Sequence, residues 1–402
     1  MNTTDSGTLY RKGLSALSRN NVEAALDYLN QAAALGEDSA EFNHDYALVL
    51  AEGWEYEAAA ERFSRAIKLK PDFTQALNNQ GNTLHALGRS EEALEMYMRA
   101  EKLAPRSPEI RLNVGTLLEK QGEYSKAIRR YERVIREYPG LAIGHFNLAK
   151  ALLATGQPAP ALVSVNRSLK KNPNQQEAIA LKAVLLMELG RPEASRELVD
   201  HGRFIRTFPM PVPDGYENLA NFHQDLIKHL DAPDTKKFDP FLTATSNGLH
   251  TRNILDDPAK PVIALKDWLQ DIFRRYVEDL PIDPEHAFLR QSFSPGRISA
   301  EAQLLNSSGF QNTHLHDAAR VSGAYYINLP EAVKTANDKA GWLEFGHLPE
   351  DIKNSVTPDI LAVQPHEGMA ALFPSYFYHG TRPFVSNERR ISLGIDLIAM
   401  AG

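Results

Sequence analysis

The sequence predicts an α+β protein of two domains: an N-terminal α-solenoid over residues 1–202, then a β domain carried on supporting helices over residues 203–402. Three observations predict it. A 34-residue register runs through the first half. A proline-rich stretch, FPMPVPDG, with Pro209, Pro211 and Pro213, interrupts the chain just past residue 200 and cannot be helical. From about Ile298 onward, short β-rich runs alternate with Gly, Pro, Asn and Asp.

The solenoid follows from spacing. Gly13, Ala47, Gly81, Gly115, Ala149 and Ala183 stand 34 residues apart. Twelve residues after each comes another small residue: Ala25, Ala59, Ala93, Ala127, Ala161 and Ser195. Four further on are Leu29, Phe63, Tyr97, Tyr131, Val165 and Val199. Pro71, Pro105, Pro139 and Pro173 close four units, and Gly88, Gly122, Gly156 and Gly190 mark a turn within the later ones. Small residues let two antiparallel helices approach, large apolar ones fill the gap, and proline stops the second helix. The pattern resembles the tetratricopeptide (TPR) repeat, with five units nearly complete and a sixth running into residue 200.

Asn79, Asn113 and Asn147 recur two residues before the small position, with Asp45 there in the preceding unit. By resemblance to TPR superhelices that position faces the concave groove. A primary amide both donates and accepts, so a ladder of them can pair with the backbone of an extended peptide or protein segment. The structural alternative is that these asparagines bond neighbouring helices.

In the second half, Tyr216, Leu219, Phe222, Leu226 and Leu230 recur at helical spacing, as do Leu265, Leu269, Ile272 and Tyr276. These read as core-facing helix sides. The runs VSGAYYINLP, GWLEFG, ILAVQP, MAALFPSYFYHG and RRISLGIDLIA read as strands of a sandwich or barrel with helices packed on one face.

Composition limits the chemistry. Lys plus Arg is 44 against 51 Asp plus Glu, a net charge of −7, which argues against a nucleic-acid surface. With no cysteine, disulfides, thiolate nucleophiles and Cys-ligated metals are excluded, leaving His, Asp and Glu as metal ligands. The opening MNTTDSGTLYRKG has no signal-like apolar core, and no run of eighteen apolar residues occurs. A soluble, cytoplasmic protein with no membrane partner is the expectation.

Within the β region, a strand would present His314 and His316 on one face, because side chains alternate. His379 follows 63 residues beyond His316, and Arg390-Ile391-Ser392 begins eleven residues later. Two histidines converging with a distant third form an open iron site. A guanidinium beside a hydroxyl suits a dicarboxylate, since Arg can pair a carboxylate through two parallel hydrogen bonds. Gln303 and Asn306 precede the histidines and line either a pocket or polar core contacts. His44, His223, His347 and His366 read as surface or hydrogen-bonded core histidines.

The order HLHDAARVSGAYYINLP, GMAALFPSYFYHGTRP, ERRISLGI resembles the 2-oxoglutarate and iron(II)-dependent oxygenase superfamily, and more narrowly its bacterial and phage branch with HxH, SGxYY, FPSxxxH and ERxS. The resemblance covers roughly residues 298–399. It implies a double-stranded β-helix (jelly-roll), Fe(II) and 2-oxoglutarate as cofactors, and His314 and His379 as iron ligands. It also implies that Arg390, assisted by Ser392, and the Tyr326 hydroxyl hold the distal carboxylate of 2-oxoglutarate. The superfamily usually has a carboxylate where this chain has His316. Three readings of that departure stand: His316 is the third ligand, Asp317 swings in, or the frame is His316-Asp317-Ala318 with the ligand position vacated, as in related halogenases. The implied function is a dioxygenase, a hydroxylase of a peptide or protein held by the solenoid. The alternatives are an oxygenase acting on a small molecule, or a non-catalytic scaffold with a degenerate oxygenase fold.

Overall fold

The computed structural model describes residues 5–399 apart from residues 20, 234, 236, 239–244 and 291–295. The chain divides into two compact units, Met1–Ala151 and Leu152–Gly402.

The first half is a run of helix pairs: Ser6–Ser18 with Val22–Ala34, Ala40–Glu52 with Tyr56–Leu69, Thr74–Ala86 with Ser90–Leu103, and Pro108–Lys120 with Tyr124–Glu137. Helices Ala142–Ala154, Pro158–Lys171, Gln176–Glu188 and Pro192–Leu198 continue the register. The small positions work as their spacing predicts. A Cβ added at Gly81 would lie 2.5 Å from the Tyr97 ring, and one at Gly115 would lie 2.4 Å from Tyr131. Glycine is what lets each buried tyrosine seat against the preceding helix. Gly88 and Gly122 take φ of 75° and 77° at the turn inside a pair, a left-handed conformation that side chains disfavour.

The proline-rich junction at 209–213 is followed by helices Leu219–Asp231 and Lys260–Glu278. They bury Phe222, Leu226 and Leu230, and Leu265, Leu269, Ile272 and Tyr276, as their periodicity predicts. Tyr216 and Leu219, expected in the same stripe as Phe222, are only half-buried, and Tyr216 lies just before the first helix, whose N-cap is Asn218.

The sheet is antiparallel, with strands β1 (Arg206–Pro209), β2 (Lys237–Phe238), β3 (Thr245–Asn253), β4 (Gly296–His314), β5 (Val321–Asn328), β6 (Leu343–Phe345), β7 (Leu361–Val363), β8 (Met369–Pro374), β9 (His379–Thr381) and β10 (Arg390–Ala399). The order is β1-β8-β5-β10-β4-β9-β6-β7, and β3 pairs with β2 and β4. Strand β4 carries the turn of the sheet. From Gly296 to Leu305 it pairs with β10, and at Gln311 and His314 it pairs with β9. Between the two stretches Ser308 takes a φ of 62° and donates its backbone N–H to the Phe384 carbonyl. The result is a curled antiparallel sheet, compatible with a jelly-roll.

Strand structure begins earlier than residue 298. β1 and β3 are short on apolar alternation, and what makes them strands is pairing with β8 and β4, far along the chain. The last repeat helices belong to the same compact unit as the sheet. Tyr376 donates its hydroxyl to the Leu198 carbonyl, and Arg290 donates to the Pro173 carbonyl over 2.6 Å.

Candidate metal centre

The topology brings three histidines together. His314 ends β4 and pairs in register with His379 on β9. His316 lies two residues past the end of β4, so His314 and His316 do not share a strand face as expected. What returns the second imidazole is a backbone contact: the His316 N–H donates to the Ser375 carbonyl over 3.1 Å. Each of His314, His316 and His379 offers one ring nitrogen, and the three lie within 4.8 Å of one another.

Hydrogen bonding sets which nitrogen is offered. His314 Nδ1 lies 2.8 Å from the Asn312 carbonyl oxygen, and His379 Nδ1 lies 2.9 Å from that of Phe377. A carbonyl oxygen only accepts, so each Nδ1 carries the proton and each Nε2 of the neutral ring is a lone pair. His316 Nδ1 sits 2.7 and 2.8 Å from the two oxygens of Asp396, and its Nε2 lies 3.2 Å from that of His314. Three Nε2 atoms therefore converge.

The electrostatics favour neutral rings at two of the three. Burial, aided by the neighbouring His316, holds His314 down at about 4, and burial puts His379 well below the ordinary histidine range. At His316 burial also opposes protonation, but the charge and hydrogen bond of Asp396 outweigh it and raise the ring. Asp396 is lowered in turn: burial pushes it up, and His316 with the Ser322 hydroxyl more than offsets that. Imidazole nitrogens of this kind fit Fe(II). Asp317 and Ala318 are exposed and outside the cluster.

A second group lies on β10 and β5. Arg390 is 1% exposed, and its Nη1 donates to Ser392 Oγ over 3.0 Å. Its guanidinium carbon is 5.3 Å from the centroid of the Tyr326 ring. Arg390 Nε and the Tyr326 hydroxyl are both buried with no hydrogen-bond partner. Burial lowers the Arg390 guanidinium and raises Tyr326 to about 12. A buried cation with an unused donor, next to an unused hydroxyl, is costly unless an anion arrives. These residues fit a carboxylate of 2-oxoglutarate. Ser392 also donates to Gln303 Oε1 over 3.3 Å, which makes Gln303 part of this group, whereas Asn306 is exposed.

Strand alternation puts Arg390, Ser392, Gly394 and Asp396 on one face of β10. A Cβ at Gly394 would lie 2.9 Å from Gln303 Nε2, so the glycine keeps room between the two polar groups. Asp396, Ser322 and Ser375 adjoin the histidine cluster through hydrogen bonds, and sequence reasoning did not single them out. The alternation from Arg390 and Ser392 onward was the signal for Asp396; the two serines had none.

The four other histidines singled out by the sequence are engaged elsewhere or exposed. His44 contacts Asp45 at 2.9 Å, His223 pairs with the Tyr325 hydroxyl at 2.7 Å, His347 sits at Glu344, and His366 is exposed. In the repeats, Asn79 Nδ2 meets His44 Nε2 at 3.2 Å, and Asn113 Nδ2 donates to Asn78 and Asn82 over 3.0 and 3.1 Å. All three contacts join neighbouring repeats through the amide nitrogen. Asn147 is half-buried on helix Ala142–Ala154.

Comparison with known proteins agrees with both halves. Residues 302–396 match the family model described as "Putative 2OG-Fe(II) oxygenase". Residues 10–72, 72–139 and 118–183 match three tetratricopeptide repeat models. No curated protein matches the chain. Among solved structures, the chain is similar to Pseudomonas aeruginosa pilF, with 20% identity, a TM-score of 0.43, and 49% of this chain and 90% of that one covered. It is likewise similar to PilW, a type IV pilus biogenesis factor, with 20% identity, a TM-score of 0.45, and coverage of 50% and 94%. A third is YrrB, a TPR protein with an unusual peptide-binding site, at 19% identity, a TM-score of 0.35, and coverage of 43% and 89%.

Proposed function

We propose, from the premise of tetratricopeptide repeats joined to an oxygenase-like domain, that this protein is a 2-oxoglutarate- and Fe(II)-dependent dioxygenase that hydroxylates a peptide or protein held by its repeats. The observation that supports it is the pairing of two groups: three histidines whose free nitrogens converge, and a buried arginine and tyrosine with unused donors. When bound, iron and 2-oxoglutarate supply the O₂ activation that couples decarboxylation to oxidation of a C–H bond.

The chain's own residues do the rest. His314, His316 and His379 hold the metal through Nε2, each kept in the right tautomer by what its Nδ1 contacts. Arg390 anchors the distal carboxylate of 2-oxoglutarate, with Ser392 bracing the guanidinium and Tyr326 donating its hydroxyl. Asn79, Asn113 and Asn147 are the proposed contacts for an extended segment, and the proposed place of work is the cytoplasm. Among the described residues no helix is long and apolar enough to cross a membrane.

A second reading, a small-molecule oxygenase with the solenoid serving assembly, gains from the bonds that already occupy Asn79 and Asn113. The first experiment is anaerobic titration of metal-free protein with iron(II) and then 2-oxoglutarate, following the visible charge-transfer band of the chelate. A band that His379→Ala abolishes and Arg390→Ala weakens supports the reading, and no iron binding overturns it. Succinate release stimulated by peptides, and lost on triple alanine substitution of the asparagines, separates a protein substrate from a small one.

A further inference from the structure

We infer that Asp396 is the positioning residue that restores to this metal site, through His316, the negative charge that three imidazoles alone do not supply. The inference rests on the metal-binding reading above and deepens it. His314 and His379 direct their Nδ1–H groups at backbone carbonyls, whereas His316 directs its own at both oxygens of a carboxylate, at 2.7 and 2.8 Å. A carboxylate on the far nitrogen orients a ligating imidazole and makes its other nitrogen a stronger donor. Three neutral rings carry no charge, and Asp396 adds one negative charge one hydrogen bond away from the ligating ring.

Asp396 is itself held. Ser322 Oγ donates to its Oδ1 over 2.6 Å, and Ser322 and Ser375 share a 2.8 Å hydroxyl contact. Ser375 also accepts the His316 backbone N–H over 3.1 Å. The bonds close a ring that fixes the His316 backbone and side chain at once, drawing on β5, β10 and the segments after β4 and β8. Strand β10 thereby anchors the proposed carboxylate site with Arg390 and Ser392 and orients a metal ligand with Asp396.

The test is titration of the full-length, metal-free protein with Co(II), read by its visible d–d bands, for wild type, Asp396→Asn, Ser322→Ala, His316→Ala and the His316→Ala/Asp396→Asn double variant. Asp396→Asn should weaken Co(II) binding about 10- to 100-fold and remove a low-field Nδ1–H proton resonance present in wild type. With His316 absent, Asp396→Asn should cost nothing further. Ser322→Ala should weaken binding in the same direction, and it keeps the proposal testable if Asp396→Asn does not fold. Equal affinity in wild type and Asp396→Asn overturns the role of Asp396 alone, as does an equal loss with and without His316. Failure of wild type to bind Co(II) overturns the metal-site reading itself and this inference with it.

Discussion

The guanidinium of Arg390 lies over the ring of Tyr326, its central carbon 5.3 Å from the ring centroid, and each side chain keeps a buried donor without an acceptor. Tyr326→Phe should therefore leave the free protein as stable or slightly more stable, because it removes an unsatisfied hydroxyl. The same change should weaken 2-oxoglutarate binding by about 1.5–3 kcal/mol, the worth of a hydrogen bond to a charged group. Thermal unfolding with and without 2-oxoglutarate checks both: the midpoint of the free protein holds, and the ligand-induced rise shrinks.

Arg390→Lys keeps the charge and loses the planar fork and the bond to Ser392. Calorimetric titration with 2-oxoglutarate should show binding weakened at least about tenfold, roughly 1.4 kcal/mol. His347→Ala, at an exposed histidine beside Glu344, should leave it unchanged.

Gly115→Ala tests the repeat packing. Its Cβ would lie 2.4 Å from the Tyr131 ring, and overpacking of this kind costs about 1–3 kcal/mol. Chemical unfolding of Gly115→Ala should show that loss. Gly140→Ala, where nothing lies within 4 Å of the added carbon, should show little.

Stability should fall in mild acid. His223 is 6% exposed, paired with Tyr325, and lowered by burial to about 4. The unfolded chain, with histidine near 6.5, binds more protons between those values. This contribution is complete above about pH 6.5, is lost as pH falls toward 4, and amounts to about 3 kcal/mol. Urea unfolding from pH 7 to pH 4 should show the decline, and His223→Gln should lessen it by this share.

Asn113→Ala removes donors to Asn78 and Asn82 and should cost the solenoid about 1 kcal/mol. If alanine at Asn79, Asn113 and Asn147 leaves turnover of a peptide substrate intact, the groove reading loses its basis.

The repeats were legible because each is built from contacts within 34 residues: the Gly81–Tyr97 and Gly115–Tyr131 seats are neighbours in sequence as well as in space. The residues of the candidate site, from His314 to Ser392, were legible by order and type. Their assembly was not, because it depends on partners far along the chain. His316 lies off the strand and is returned to the cluster by the carbonyl of Ser375. β1 and β3 are strands by virtue of β8 and β4. By itself, then, the sequence determined a helical repeat array, a cysteine-free set of ligand types and the order in which they occur. The tertiary structure alone decided that three imidazole nitrogens converge, that Arg390 and Tyr326 keep unused donors, and that Asp396 stands behind His316. Each of those is a matter of hydrogen-bond direction across strands that only folding brings together.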